Sequence, residues 1–545
     1  MLPRFLFKPS IAEILAPSIL LLLLFLCSTG DTWSQGLENE RWKIGPIADV
    51  CPSIWPLASR TDWESPSDTT HWYGASHIGI RAFASAQHSP NVRAFGNATA
   101  RSFAEGLGWK TGMELSGHYK RFTWSGMLDH WRLSNVSESD WNQAWQWATW
   151  DGIGWSWNPN PSDVALARAI GHVTAIISPS IQIEVGQGQH HWGKGWRSLW
   201  LDRQAASLPY ARFVADAGRV QYTHLLARTT HRTVGSPSDF IGAQDRSPGT
   251  YAIKRPSWFA AHLVEVDFGR GWSGELFGAV SYLANDSGYN SRFEASYAIP
   301  FIAFRPTEYA LGSADNALLG AALSKEIQTS TGRWRIYGQV LLDELVISEL
   351  RSDAQWWANK WGALGSMHYG SANERWNVVL EATAVRPYTY AHASSAQSWT
   401  HNRQPLAHPA GSNFAEARAH VIWKKGPFRF HLGALMRKQA LDEAVDLGKD
   451  PAVSIGSDPL LSYVTRPSDY GVEWFYSGDG QAGNTDVINQ IQTWVDVSYQ
   501  ITKLEGQELF VRSTQNNLSG GMMRTTWWRL ETGIRLRRVL EERNW

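Results

Sequence analysis

Alternation of apolar and polar residues with a period of two is the feature that most constrains the fold of this chain. Between residues 428 and 437, one face of an extended chain would carry Phe428 and Leu432, and the other would carry Arg429 and His431. The same alternation recurs in segments 376–384, 491–501 and 527–540. Strands with one apolar and one polar face explain this pattern, so the chain is predicted to be all-β.

A soluble β-sandwich and a transmembrane β-barrel both have alternating strands, so the pattern alone leaves both open. After the N-terminal segment no stretch resembles a transmembrane helix, but barrel strands of about 9 to 11 residues escape a hydropathy search. A mature chain of about 510 residues has room for about 18 antiparallel strands with long outer loops.

The first 34 residues have the features of a secretory signal peptide. Basic residues precede an apolar run at 19–27, and small residues follow it. The run is shorter than the roughly 20 residues that span a bilayer, which favours cleavage over a membrane anchor. A lipoprotein signal at Cys27 is disfavoured by the bulky Leu26 before it. Cleavage would leave Cys51 as the one cysteine, which excludes a disulfide within the mature chain.

Charge and aromatic content narrow the ligand classes. The 50 basic and 50 acidic side chains balance, so electrostatics give no case for a nucleic acid partner. The 31 Trp, 17 Tyr and 20 Phe residues suit the aromatic girdles of a membrane barrel. They suit sugar-stacking surfaces equally well, and composition does not separate the two.

The chain is predicted to form one folded domain after the signal peptide. Residues 35–100 have little sustained periodicity and are expected to be a lead-in packed on or in the barrel, which would occupy residues 101–545. Within it, the spacing of Val164, Ile170 and Val173 in segment 162–177 suggests a short helix that would plug the lumen.

Charged and aromatic motifs occur in a fixed order in the middle of the chain. They include Arg305-Pro306-Thr307-Glu308-Tyr309, Trp356-Trp357-Ala358-Asn359-Lys360, Arg386-Pro387-Tyr388-Thr389-Tyr390 and Gln404-Pro405-Leu406-Ala407-His408-Pro409, after a glycine-rich block at 184–201. In this order, over residues 170–475, the set resembles the capsule-assembly Wzi-like family of outer-membrane β-barrels, and in particular its RemB-like gliding-motility branch.

The resemblance implies a non-catalytic barrel in the outer membrane of a Gram-negative bacterium. Its implied role is attachment or assembly of capsular polysaccharide or exopolysaccharide, or gliding motility. Expected partners are a surface polysaccharide, outer-membrane lipid and, for motility, motility or secretion proteins. A porin-like channel and a structural component of a secretion or motility complex are alternatives, and a glycan-active enzyme is a remote one.

Ten residues are predicted to bind a glycan or to form a network of ion pairs in the lumen. They are Arg197, Arg305, Glu308, Asp343, Glu344, Trp357, Lys360, Arg386, Tyr388 and His408. One interpretation is a set of paired charges that braces a wide barrel. The other is a polar and aromatic surface, including Trp356 and Tyr390, for a polysaccharide.

No catalytic residue, metal site or cofactor is predicted. Asp343 and Glu344 are adjacent, so on a regular strand they would point to opposite faces, whereas a glycosidase needs two carboxylates that face one bond. The adjacent His190 and His191 diverge in the same way and would not bind one metal ion. The sequence also has no Gly-x-Ser-x-Gly motif of a serine hydrolase.

Overall fold

The structure is a computed structural model that describes residues 77–89, 106–134, 155–157, 163–234, 252–283, 294–299, 315–351, 354–402, 404–442, 453–477, 487–501, 508–520 and 523–535. The strands are β1 His77–Ser89, β2 Gly106–Tyr119, β3 Phe122–Ser134, β4 Trp155–Trp157, β5 Asp163–Ser178, β6 Ile181–Gly188, β7 Leu208–Asp216, β8 Val220–Val234, β9 Ala252–Gly269, β10 Trp272–Tyr282, β11 Asn316–Gln328, β12 Gly332–Glu344, β13 Lys360–Ser371, β14 Trp376–Val385, β15 Thr400–His401, β16 Gln404–Pro405, β17 Phe414–Lys425, β18 Phe428–Ala440, β19 Val487–Gln500, β20 Glu508–Gly520 and β21 Met523–Arg535.

Short helical turns occur at Ala295–Ala298, Ile347–Leu350, Ser395–Gln397 and Tyr463–Thr465. None of the helices in the described ranges has the length and apolarity needed to cross a membrane. The predicted signal peptide, residues 1–34, lies outside the described residues, as does the part of the lead-in before His77.

The strands form one antiparallel sheet that closes on itself. Nineteen of the described strands belong to it, and without the three-residue β4 eighteen remain. Each of these pairs with its neighbours along the chain, and β1 pairs with β21 through Ser85 and Arg535. A closed sheet has no open edge and pairs its backbone groups between strands, as a membrane interior requires. The prediction of an all-β barrel of about 18 antiparallel strands is confirmed.

Two expectations about the N-terminal half need correction. Segment 162–177 is not a helix, because it lies in β5, which pairs with β3 on one side and with β6 on the other. The apolar spacing of this segment fits both the helical and the strand period, and pairing with two neighbouring strands decides for the strand. The β-branched residues of the segment also favour a strand. The sheet also begins before residue 101, since β1 lies within the expected lead-in and pairs along its whole length with β2.

The barrel has an apolar outside and a polar inside. In β18, Phe428 and Leu432 are 45% and 48% exposed, whereas Arg429 and His431 are 4% and 0% exposed. In β19, exposed Ile491, Val495 and Tyr499 alternate in the same way with buried Gln492, Asp496 and Ser498. A soluble sandwich would have the opposite polarity, with polar residues outside and apolar residues inside. This arrangement is that of a transmembrane β-barrel.

The connections differ strongly between the two ends of the barrel. At one end, tight turns such as 120–121, 179–180, 270–271 and 426–427 join the strands. At the other end, β6–β7, β12–β13, β14–β17 and β18–β19 are joined by the long segments 189–207, 345–359, 386–413 and 441–486. We call these segments loops A, B, C and D. Transmembrane barrels have short turns on the periplasmic side and long loops outside the cell.

The hydrophobic core lies inside the barrel. It joins Trp192 and Trp200 of loop A and Trp399 of loop C with wall residues such as Phe259 and Phe277. Trp200 and Phe277 stack with ring centroids 5.2 Å apart, and Phe259 packs against Trp399 at 4.8 Å. The long loops therefore fold inward and fill the lumen, which the predicted helix does not do.

Candidate functional site

Loops A and C start on different sides of the barrel wall and meet in the lumen. The hydroxyl of Tyr390 in loop C donates a hydrogen bond to the carbonyl oxygen of Leu199 in loop A, at 3.0 Å. The indole Nε1 of Trp399 donates to the carbonyl oxygen of Trp200, at 2.7 Å. These aromatic side chains satisfy the backbone of a segment that has no strand neighbour inside the barrel.

Polar side chains of the opposite wall hold loop A in place. The amide of Trp196 donates to Glu381 Oε2 at 2.6 Å, and the amide of Arg197 donates to Oε1 of the same carboxylate at 2.9 Å. The amide of Leu199 donates to Gln339 Oε1 at 2.8 Å. Glu381 lies on β14 and Gln339 on β12, so one short stretch of backbone is fixed across the lumen.

Arg197 is fully buried in loop A beside Asp202. Its Nη1 lies 3.6 Å from Asp202 Oδ1, and the Asp202 carboxylate accepts the amides of Ser198 and Gln204, each at 2.9 Å. Burial lowers the pKa of Arg197 to about 10. Burial alone would raise the pKa of Asp202, but the charge of Arg197 holds this pKa below its ordinary value. Both groups are therefore charged at neutral pH.

Asp343, Glu344 and Lys360 form one ion cluster, in which Asp343 and Lys360 are fully buried and Glu344 is partly exposed. Lys360 Nζ lies 3.1 Å from Asp343 Oδ1 and 3.3 Å from Glu344 Oε1, and it donates to the carbonyl oxygen of Ala391 at 3.2 Å. The pairing of β12 with β13 shifts register between Leu342 and Glu344, so both adjacent carboxylates reach the same ammonium group. The expectation that they diverge is wrong here because the strand is not regular at this point.

Asp343 also connects the wall to loop C. Its Oδ2 accepts the amide of Tyr390 at 2.7 Å, so the ion cluster fixes the same residue whose hydroxyl holds loop A. Tyr390 has a positive φ of 75°, a conformation that the surrounding contacts must maintain.

Arg386 and Tyr388 join loops B, C and D. The guanidinium of Arg386 donates to the carbonyl oxygens of Asn359 at 2.9 Å and of Val472 at 2.8 Å. The hydroxyl of Tyr388 donates to the carbonyl oxygen of Ser454 at 2.8 Å. Burial lowers the pKa of Arg386 to about 10. Tyr388 is fully buried, so its aromatic face packs against other loops and does not reach a ligand outside the barrel.

His408 of loop C faces a second group of charges. Its Nε2 lies 3.6 Å from Glu416 Oε1, and this carboxylate accepts hydrogen bonds from Arg418 at 3.0 Å and from Arg437 at 2.6 Å. Burial lowers the pKa of His408, although Glu416 opposes the shift. Arg197 is electrostatically coupled to the same Glu416.

The predicted site residues therefore fall into two groups. Asp343, Glu344, Lys360, Trp357, Arg386 and Tyr388 lie where loops B, C and D meet, and Arg197 and His408 lie deeper, around Glu416. Arg305 and Glu308 lie outside the described residues.

Aromatic rings of loops B and D surround the buried Trp357 and are themselves only partly buried. We call Trp356, Trp357, Tyr463, Trp474 and Phe475 the aromatic patch. Trp357 lies 6.2 Å from Trp356 and 4.7 Å from Tyr463, measured between ring centroids. Three cations stack on the patch: Arg466 at 3.9 Å over Trp357, Lys438 at 4.4 Å over Phe475, and Arg386 at 6.0 Å over Trp474.

Several residues that organise the loops carry no motif in the sequence. Asp442 follows β18 and accepts the amides of Ile455 at 2.5 Å, Ser457 at 2.8 Å and Asp458 at 2.7 Å. It folds loop D around one carboxylate, as Glu381 does for loop A. For Glu381, the sequence gives one indication of this role, which is its place on the polar face of a predicted alternating strand. Nothing in the sequence marks Asp442.

No family model and no curated protein matches this sequence. Among solved structures, the chain is similar to Wzi of Escherichia coli, a carbohydrate-binding β-barrel of the outer membrane involved in group 1 capsule assembly, with a TM-score of 0.48 and 10% identity over 83% of each chain. It is similar to OpdK of Pseudomonas aeruginosa, solved with vanillate, with a TM-score of 0.45 and 7% identity over 85% of this chain and 98% of that one.

OprD of Pseudomonas aeruginosa gives a TM-score of 0.41 and 9% identity over 85% of this chain and 95% of that chain. All three TM-scores lie below 0.5, so the similarities transfer no function to this chain. Membership of the Wzi-like family and of its RemB-like branch stays a prediction.

Proposed function

We propose that this chain is a non-catalytic barrel of the Gram-negative outer membrane that binds a surface polysaccharide at its long-loop end. The observation that carries the proposal is the aromatic patch on loops B and D, which Arg386 and Tyr388 tie to loop C. The cellular role would be attachment or assembly of capsular polysaccharide or exopolysaccharide.

The outer-membrane location rests on the surface of the barrel and on its turns. The strands present apolar side chains outward, and a barrel of this kind crosses a membrane with its short turns on the periplasmic side. The predicted signal peptide would deliver the chain across the inner membrane. Loops A to D, and the aromatic patch with them, then face the outside of the cell.

The patch has the chemistry that sugar rings require. The carbon–hydrogen faces of a pyranose are apolar and pack on aromatic rings, while its hydroxyl groups need donors and acceptors nearby. Trp356 of loop B and Tyr463 and Trp474 of loop D are only partly buried. The exposed carboxylates of Asp469 and Glu473 also lie on loop D. A repeating polymer can contact several rings at once, so weak stacking contacts add along the chain.

The residues beneath the patch fix its shape. Arg386 ties loop B to loop D, and the Lys360 cluster ties the wall to loop C. In the lumen, Glu381, Asp202 and Glu416 are occupied by amides or guanidinium groups. This engagement supports a structural use of these carboxylates and a binding function without catalysis.

The test is a pair of tryptophan substitutions with a matched control. Trp356→Ala with Trp474→Ala should weaken retention of polysaccharide from the source bacterium by about 30-fold, because stacking contributes about 1 kcal/mol per ring. Trp376→Ala removes an exposed tryptophan at the opposite end and should leave retention unchanged. Heat-modifiable migration on a gel verifies that each barrel is folded. Equal retention by all variants would contradict the proposal.

A deletion strain tests the cellular role. If the protein attaches polysaccharide, the cell-bound fraction should fall and the released fraction should rise while total synthesis is unchanged. An unchanged partition would leave gliding motility, which the RemB-like motif pattern favours, and spreading on agar would then be measured.

A porin-like channel is the second candidate, because the wide barrel itself could enclose a pore. The packing of loops A and C argues against an open channel, because Trp192, Trp200 and Trp399 fill the lumen where the two loops meet. Large, stable conductance steps in planar bilayers would support a channel. They would contradict the proposal that loops A and C close the lumen.

A further inference from the structure

Lysine side chains lie over aromatic rings at three places on the short-turn end of the barrel. Lys120 Nζ is 5.1 Å from the ring centroid of Tyr119 in the β2–β3 turn. Lys325 Nζ on β11 is 4.9 Å from the ring of Trp272 on β10. Lys425 Nζ on β17 is 5.9 Å from the ring of Trp423. The same arrangement therefore recurs on separate hairpins around the rim.

The rings of these pairs belong to the membrane boundary. Tyr119 and Trp272 are exposed, and Trp423 lies in a stacked row between Trp376 at 5.7 Å and Phe430 at 5.1 Å. The row continues directly into the exposed apolar side chains of the strands. Aromatic girdles of this kind mark the level of the lipid headgroups. The ammonium groups beside them lie at the same level, with their alkyl stems on the apolar side.

The described turns at this end carry an excess of positive charge. Besides the three lysines, the turns and adjacent strand ends carry Arg121, Arg219, Arg270, Arg333, Arg375, Lys424 and Arg535, and the acidic residues there are Asp216, Asp267, Glu326, Glu374 and Glu508. The carboxylates of Asp216 and Asp267 accept the amides of Gly218 and Gly269 within their own turns, each at 2.8 Å. The Lys325 ammonium also donates a hydrogen bond to the carbonyl oxygen of Arg270 at 2.7 Å, and within the described residues none of the three ammonium groups over the rings forms an ion pair with a carboxylate.

We propose that this rim is a docking surface for anionic phospholipid headgroups, such as phosphatidylglycerol, in the membrane leaflet next to the short turns. Each aromatic ring contacts the glycerol and upper acyl region, and the lysine over it binds the phosphodiester. The occupant is a lipid because the surface continues into the apolar band, where acyl chains already lie. Lysine attracts phosphate as a compact charge at such an interface.

The inference rests only on the placement of the barrel in a membrane, and not on polysaccharide binding. The full-length protein is reconstituted in phosphatidylcholine vesicles that contain spin-labelled phosphatidylglycerol or spin-labelled phosphatidylcholine. Electron paramagnetic resonance then gives the relative association of each label with the protein. We expect the wild-type protein to prefer the phosphatidylglycerol label by about twofold to fivefold, a preference that salt weakens.

The variant Lys120→Gln with Lys325→Gln and Lys425→Gln should lose most of this preference. Lys438→Gln is the matched control, because Lys438 is exposed and also lies over an aromatic ring, but at the long-loop end. Heat-modifiable migration confirms that both variants are folded. Equal association of the two labels with the wild-type protein would overturn the proposal. An undiminished preference in the triple variant, or the same loss in Lys438→Gln, would overturn it as well.

Discussion

Replacement of Glu381 by alanine should release loop A from the barrel wall while the barrel stays folded. The Glu381 carboxylate accepts the amides of Trp196 and Arg197 at 2.6 and 2.9 Å, and both lie in the filled lumen. Alanine removes both acceptors and leaves two buried donors without a partner. The strand pairing of β14 with β13 and β17 uses backbone groups only, so the substitution does not disturb it.

The size of the effect follows from the cost of an orphaned donor. A buried amide without a partner costs about 1 to 3 kcal/mol. Water that enters the site recovers part of this, so we take about 3 kcal/mol for the two amides together. A loss of this size raises the open population of loop A by roughly 150-fold, because each 1.4 kcal/mol is a factor of about ten. The increase in opening should be confined to loop A, because the free energy of local opening depends on the contacts of the segment that opens.

Hydrogen exchange measured by mass spectrometry tests this expectation on the folded protein in detergent. Peptides that cover loop A should exchange about two orders of magnitude faster in Glu381→Ala than in the wild type, and peptides from β20 should not change. Glu381→Gln keeps one acceptor oxygen and should fall between the two. Glu374→Gln, which changes an exposed carboxylate in the β13–β14 turn, is the control.

One result would refute the reasoning directly. If loop A exchanges at the same rate in Glu381→Ala and in Glu374→Gln, the two amide contacts do not hold the loop. Planar bilayers give a second readout, since a released loop A should also produce conductance that the wild type lacks. Exchange without conductance would indicate that loop C alone keeps the lumen closed.

Three further perturbations probe the outer loops. Lys360→Met leaves the fully buried Asp343 carboxylate without its cation and should lower the stability of the loops by about 3 to 5 kcal/mol. We expect protease cleavage in loops B and C, and protease resistance equal to that of the wild type would contradict this. Gly456→Ala should also loosen loop D, because φ is +79° and an added Cβ would clash with the backbone nitrogen of Tyr388. Unchanged hydrogen exchange in loop D would disprove this. Burial lowers the pKa values of His191 in loop A and His392 in loop C to about 4, from the ordinary 6.5. Below about pH 6.5 the undocked loops therefore bind more protons than the docked loops, and the packing of loops A and C in the lumen weakens as the pH falls. At pH 5 each histidine should cost about 2 kcal/mol, measured as faster loop exchange than at pH 7.

The lumen gains its rigidity from contacts that are few and distant in sequence. The amide of Tyr390 donates to Asp343 on the wall, its hydroxyl donates to loop A, and its carbonyl oxygen accepts the amide of Trp399 within loop C at 2.9 Å. A single residue thus transmits the position of the wall to two loops. For the proposed function, this means that the aromatic patch is presented in one shape before any ligand arrives, which reduces the entropy lost on binding.

The sequence alone determined the two-faced character of its clearest strands, but not which face points inward. Alternation in segments such as 376–384 and 491–501 is local, because successive side chains of any strand point to opposite faces. Glu381, Asp496 and Gln492 could therefore be placed on the polar face before the fold was known, and all three are buried in the lumen. Where a segment fitted two periods, as in β5, the sequence predicted a helix and pairing partners decided for the strand.

Only the tertiary structure decided what the polar face does. Asp343 and Glu344 both reach Lys360 because the pairing of β12 with β13 shifts register at this point. Such a shift cannot be recognised until the partner strand is known. The contact of Glu381 with Trp196 spans 185 residues, and Asp442 gains its role from a segment that folds back on it. Such contacts arise from where the closed barrel places distant loops, and no local pattern in the chain encodes that position.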